Sequence, residues 1–102
     1  MVRNPYDIWN AYFRFDEGDD GKERPVLVLE SDKFFSLSAE ITSHDPRDNC
    51  SGDVEIINWA AVGLKKPSTV RLSKQLDLTD FDFTYRIGRL HPIDVLRVQA
   101  EL

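Results

Sequence analysis

Three side chains in this sequence suit one reaction. Arg24 supplies a guanidinium, a planar fork of donors that matches phosphate oxygens in pairs. Thr42 and its neighbour Ser43 supply hydroxyls that can donate to the same phosphate. Together such groups can hold a phosphorus centre carrying five oxygens without any metal. RNA brings its own nucleophile, the ribose 2′-OH, so a site of this kind has no water to activate. It must align that hydroxyl with the departing 5′-oxygen and stabilise the added negative charge. An arginine just ahead of a strand is more often a plain surface residue, and composition alone leaves both readings open.

Competing chemistries are few. His44 and His91 stand far apart and in no His-Glu-x-x-His frame. His44-Asp45 with Asp48 can in principle grip a cation, but a solvated loop is the simpler reading. There is no Gly-x-Ser-x-Gly and no Ser-His-Asp arrangement, and the glycines from Asp16 to Gly21 sit among acids that would repel phosphate. The single cysteine, Cys50, can form neither an internal disulfide nor a multi-thiolate metal site, and it lacks basic neighbours that would make it nucleophilic. Neither a metal nor a cofactor is expected.

The chain has 102 residues, 41% of them hydrophobic, which predicts one domain over residues 1–102 with a modest core. A domain of this size gains from a partner subunit. No apolar run is long enough to span a membrane, and no apolar signal segment follows Met1 to Pro5. A reducing cytoplasm is therefore expected, and one lone cysteine fits it. The net charge of −5 is unusual for a nucleic-acid binder. It is also uneven, because residues 1–58 sum to −7 and residues 59–102 to +2. A local basic surface on an acidic chain is compatible with that split, although the overall field would slow a polyanion.

The elements that must position Arg24 and Thr42 form a hairpin. Val26 to Leu29 is a run of Val and Leu, Ser31-Asp32-Lys33 is polar, and Leu37, Ala39 and Ile41 alternate with Ser38, Glu40 and Thr42. With Asp32-Lys33-Phe34 as the loop, Leu29 faces Leu37, Leu27 faces Ala39 and Pro25 faces Ile41, so apolar meets apolar. That register sets Arg24 beside Thr42 on the other face. Val26 and Val28 then form an apolar patch that the rest of the barrel or a second subunit must cover.

Around the hairpin, residues 6–15 predict a first strand, and residues 16–23 an acidic mobile loop. Residues 44–53 predict a second polar loop, followed by a short strand at Val54 to Ile57. Trp59 to Leu64 allows a helical turn that Gly63 would end. Strands follow at Thr69 to Leu72, Leu76 to Leu78 and Tyr85 to Leu90. Between the last two, Thr79 to Phe83 suggests a capped turn whose Phe81 and Phe83 pack on the core. Pro92 opens a terminal helix with Asp94 near its start, and Ile93, Leu96 and Ala100 fall at helical spacing. Many short strands and one helix predict a mainly β fold, a small barrel or strongly bent sheet with a helix against one end.

Several stretches, in order, resemble the MazF/PemK family of toxin ribonucleases. These are Tyr6-Asp7-Ile8-Trp9, Arg24-Pro25-Val26-Leu27-Val28, Ile41-Thr42-Ser43, Gly63-Leu64-Lys65-Lys66-Pro67-Ser68-Thr69-Val70-Arg71 and Ile87-Gly88-Arg89-Leu90. Each is short, but their ordered combination spans nearly the whole chain. The resemblance implies an SH3-like β-barrel with a C-terminal helix, usually a homodimer. It implies metal-independent, sequence-selective cleavage of single-stranded RNA to 2′,3′-cyclic phosphate and 5′-hydroxyl ends, and inhibition by a cognate antitoxin. It assigns Arg24 an acid/base and charge-stabilising part and gives Thr42 the scissile phosphate. Ser43 becomes a neighbouring polar contact and Arg71 a further RNA-binding arginine. The sequence departs from the family at Tyr6, where glycine is usual, and at Ser73, where some members carry aspartate. A non-catalytic or gyrase-directed CcdB-like module on the same fold is the alternative.

Overall fold

The computed structural model describes residues 3–13, 21–46 and 52–102. Six strands precede one helix: β1 (Asp7–Phe13), β2 (Lys22–Ser31), β3 (Ser36–Thr42), β4 (Asp53–Ile56), β5 (Ser68–Leu78), β6 (Phe83–Arg89) and α1 (Pro92–Glu101). The strands pair antiparallel in the order β4-β5-β3-β2-β1-β6. Most of the expected acidic loop, the end of the first strand at Arg14 and Phe15, and the loop from Arg47 to Ser51 lie outside the described residues. Lys22 and Glu23, expected in that acidic loop, belong instead to β2.

The sheet is mainly β and bent, as the barrel class requires. Ile8 of β1 and Val54 and Ile56 of β4 share one buried cluster with Leu27, Ala39, Val70 and the helix residue Val98. Three strands separate β1 from β4, about 19 Å in a flat sheet at the usual strand spacing. Only a curled sheet brings them onto one core. A second cluster fills the opposite face, with Ala11, Phe13, Val26, Val28, Leu78 and Phe83. Val26 and Val28 are fully buried there, so the barrel itself covers the apolar patch. Burying each is worth about 2 kcal/mol over leaving it exposed.

The hairpin keeps the expected phase at its middle, where Leu27 faces Ala39 and Val26 faces Glu40. Beyond Val28↔Ser38 the partner of Leu37 is Glu30 rather than Leu29, because β2 carries one extra residue there. Such a bulge shifts the side-chain phase by one. The loop is correspondingly four residues long, Asp32 to Phe35, and Asp32 closes it. Its Oδ1 accepts from the backbone N–H of Phe34 and of Phe35, both at 2.8 Å. These bonds, that from Phe35 first, hold the Asp32 carboxyl below its ordinary range.

β5 contains a larger irregularity. Ala39 pairs with Gln75 but the next residue, Glu40, pairs with Arg71. The intervening residues 72–74 are an odd excess, so the strand changes face as it passes them. Val70 therefore points into the first core and Leu78 into the second. The two expected short strands are thus one continuous strand with a step in it.

Two glycine motifs mesh. Gly63 adopts φ +98° and ends the turn after β4, where Leu64 N–H donates to Trp59 O at 3.0 Å. Opposite it, the backbone carbonyl of Val62 lies so close to Gly88 that a Cβ there would collide with it. This contact seats the segment from Gly63 to Lys66 against β6. Tyr6 sits at φ 70°, which accounts for glycine being usual at that position in the family it resembles. A non-glycine residue there stores about 1 kcal/mol. Two backbone bonds hold it, Tyr6 N–H to Val28 O at 2.6 Å and Leu90 N–H to Tyr6 O at 2.9 Å.

The helix begins at Pro92 as expected, with His91 Nδ1 accepting from Ile93 N–H at 3.2 Å. Its buried face differs from the apolar spacing. Ile93 and Leu96 are 57% and 66% exposed and Ala100 is exposed, whereas Asp94 and Val98 are buried. Asp94 is drawn inward by unsatisfied donors. Its carboxylate accepts from Ile57 N–H at 3.1 Å, Asn58 N–H at 2.9 Å and the Asn58 amide at 3.3 Å. That bracket ties the helix to the exit of β4. The turn before β6 also corrects an expectation. Asp82 Oδ2 accepts from Thr79 N–H at 2.8 Å, which makes a tight turn and leaves Phe81 at its apex, 98% exposed. Phe83 alone packs inward.

Candidate functional site

Arg24 lies near the start of β2 and Thr42 ends β3, on the face that carries Val26 and Glu40. The ladder between the two strands stops at Val26↔Glu40, so Arg24 and Thr42 lie just past its last pair. They remain in the same phase and line one groove. In the sheet Arg24 approaches Glu40, one step nearer the ladder, at 3.5 Å between Nη1 and Oε1. Its guanidinium also lies 5.4 Å from the centre of the Phe13 ring.

Arg71 reaches the same place from β5. It is the ladder partner of Glu40, and its Nη1 stands 3.7 Å from Glu40 Oε2. The step in β5 begins directly after it, so Arg71 is the last residue of the strand held in that phase. Thr42 pairs with Thr69, and its Oγ1 accepts from His44 N–H at 3.3 Å. This small turn aims the backbone after Thr42 along the groove edge, with Ser43 and His44 exposed on it.

The groove encloses about 720 Å³, and Arg24, Thr42, Ser43 and Arg71 all line it. Other walls come from segments remote in sequence: Lys22 and Glu23 from β2, Lys65 and Lys66 after the Gly63 turn, and Tyr85 and Arg86 from β6. Six bases face two acids, Glu23 and Glu40, so the groove carries a formal charge of +4 on a chain of −5. Clefts of one sign concentrate ions of the other. Pro25, Ile41, Leu64 and Ile87 supply apolar floor, and the half-exposed Tyr85 ring offers a stacking face. Ser73 lies exposed in the irregular stretch of β5.

Sequence reasoning brought together Arg24 and Thr42 and, through the family resemblance, Ser43 and Arg71. It did not find Glu40, Lys22, Tyr85 or Arg86 as groove residues. The signal for Glu40 was present, since alternation puts it two residues before Thr42 on the same face. The others converge only through folding. Among the described residues no group of three or more His, Cys, Asp and Glu is placed to hold a metal ion.

Residues 4–102 match the family model of the PemK-like, MazF-like toxins of type II toxin-antitoxin systems. The probable endoribonuclease MazF of Mycolicibacterium smegmatis is 28% identical over 85 residues, which is 80% of this chain and 78% of that protein. The solved structure of the Mycobacterium tuberculosis toxin MazF-mt6 superposes with a TM-score of 0.70 at 21% identity. It covers 91% of this chain and 90% of its own. The structural likeness supports the fold, and these matches do not favour the gyrase-directed alternative. With the family match running over almost its whole length, the chain belongs to the PemK-like, MazF-like toxins of type II toxin-antitoxin systems.

Proposed function

We propose that this toxin is an endoribonuclease that cleaves single-stranded RNA at selected sequences, without a metal, to 2′,3′-cyclic phosphate and 5′-hydroxyl ends. The observation that carries this reading is the convergence of Arg24, Arg71 and Thr42 on one open basic groove. The 2′-OH attacks the adjacent phosphorus, the bond to the 5′-oxygen breaks, and the proton of the 2′-OH is passed on to that oxygen. Arg24 stabilises the charge that builds on the non-bridging oxygens, and Thr42 donates its hydroxyl to the scissile phosphate. Arg71 and Ser43 bind the strand beside it. The probable endoribonuclease among its relatives supports the same activity.

The groove is also where a cognate antitoxin acts. An acidic, unfolded tail of that partner competes with RNA for the same cations. The toxin works in the cytoplasm as a homodimer, and the exposed Ile93 and Leu96 on α1 offer apolar surface for a second copy.

The decisive experiment incubates the protein with a long single-stranded RNA in EDTA. Defined fragments ending in cyclic phosphate are expected, and Arg24→Ala or Thr42→Ala should each slow cleavage about 100-fold while the protein stays folded. Intact RNA, or wild-type rates in both variants, would refute the reading.

A further inference from the structure

We propose that Glu40 is a positioning residue: its buried carboxylate sets the separation and orientation of Arg24 and Arg71, so that both guanidiniums meet one phosphate of the bound RNA. The proposal rests on the endoribonuclease reading and adds a residue to it.

Glu40 is only 8% exposed, yet it lies in the wall of a groove of formal charge +4. Its two oxygens are divided between the two arginines, Oε1 at 3.5 Å from Arg24 Nη1 and Oε2 at 3.7 Å from Arg71 Nη1. Both distances are too long for hydrogen bonds. The pairs therefore hold by charge and consume no N–H donor. Glu40 Oε2 and Arg71 Nε are in fact buried without hydrogen-bond partners. Leaving a buried polar atom unmade is expensive, so the three side chains are held together by their mutual charge rather than by completed hydrogen bonds.

The arrangement is fixed by the backbone. Glu40 pairs with Val26 of β2 on one side and with Arg71 of β5 on the other. Its Cα is thus held by ladders on both flanks, and Arg24 projects two residues before Val26. Without the carboxylate, two guanidiniums would confront each other across the groove wall and repel. With it, the triad has a net charge of +1 and a defined width. One carboxylate oxygen is sealed from solvent and the other faces Arg24, so Glu40 is placed to align rather than to take the proton of a 2′-OH.

The test compares wild type, Glu40→Gln and Glu40→Asp on a short RNA substrate. In E40Q, kcat should fall about tenfold or more with KM unchanged or lower, because alignment is lost while positive charge is gained. The salt dependence of binding should steepen by about 0.7 in log–log slope, the value of one added cation. In E40D the charge is kept and drawn back by one methylene. Its kcat should fall less than that of E40Q, with a wild-type salt slope. A kcat within twofold of wild type in both variants, or a raised KM with unchanged kcat, would overturn the proposal. If E40Q does not fold, E40D alone decides it, since an unchanged kcat there refutes alignment. If wild type cleaves no RNA, the endoribonuclease reading fails instead. Glu40 is then judged by nitrogen-15 NMR of the arginine Nε–H groups. Arg24 and Arg71 signals that do not move in E40Q would overturn its positioning role.

Discussion

Replacing Lys65 and Lys66 together by alanine removes two of the six groove cations without touching Arg24, Thr42 or Arg71. For single-stranded nucleic acid the log–log slope of affinity against salt is about −0.7 per phosphate neutralised. The groove's formal charge of +4 then gives a wild-type slope of about −2.8. Raising salt from about 50 to 200 mM should weaken binding about 50-fold. With two lysines removed, the slope falls to about −1.4 and the same salt step costs about 7-fold. The assay is fluorescence anisotropy of a labelled oligonucleotide whose 2′-positions are methylated, so that binding is read without cleavage. Equal slopes for wild type and the double variant would show that the turn after β4 does not face the bound strand. The groove would then be too wide a description of the binding surface.

Two further outcomes follow from the scaffold. Asp94→Ala orphans the backbone N–H groups of Ile57 and Asn58 and should cost about 3 kcal/mol, read as a lower urea midpoint with unchanged slope. Asp94→Asn keeps one acceptor oxygen and should fall between, and a loss below about 1 kcal/mol in the alanine variant would mean the bracket is not needed. Asp32 has its folded pKa depressed below the ordinary 3.8 by the N–H groups of Phe35 and Phe34. Its stabilising effect is therefore present above that ordinary value and lost as pH falls through the depressed one. Wild type should be more stable than Asp32→Ala at neutral pH, and the gap should narrow as acid is added; a gap that does not narrow would contradict the assignment.

What the sequence revealed and what it hid divide along a physical line. The pairing of Leu27 with Ala39 was legible because alternation along β3 has one good solution. The bulge beside Val28 was not, since Val26 to Leu29 are apolar throughout and a change of phase within them leaves no mark. The helix misled for a related reason. Ile93, Leu96 and Ala100 look like an inward stripe, but Asp94 had two backbone donors to satisfy, and that decided which face went in. The groove was least legible of all. Its cations come from β2, from the turn after Gly63, from β5 and from β6, and no window of sequence contains them together. The net charge of −5 pointed away from it.

That partition of charge limits how much RNA the protein can hold. Taking the groove's +4 from the chain's −5 leaves −9 for everything else. The rest of the chain is thus acidic in sum, and its field opposes rather than aids a strand that leaves the groove. Extra nucleotides beyond the groove would then add no grip, and a long transcript would bind no more tightly per site than an oligonucleotide that just fills it. Sliding along RNA is disfavoured for the same reason. Each encounter must find the groove anew, and a target within a structured transcript is reached only where a short stretch stands clear of its neighbours.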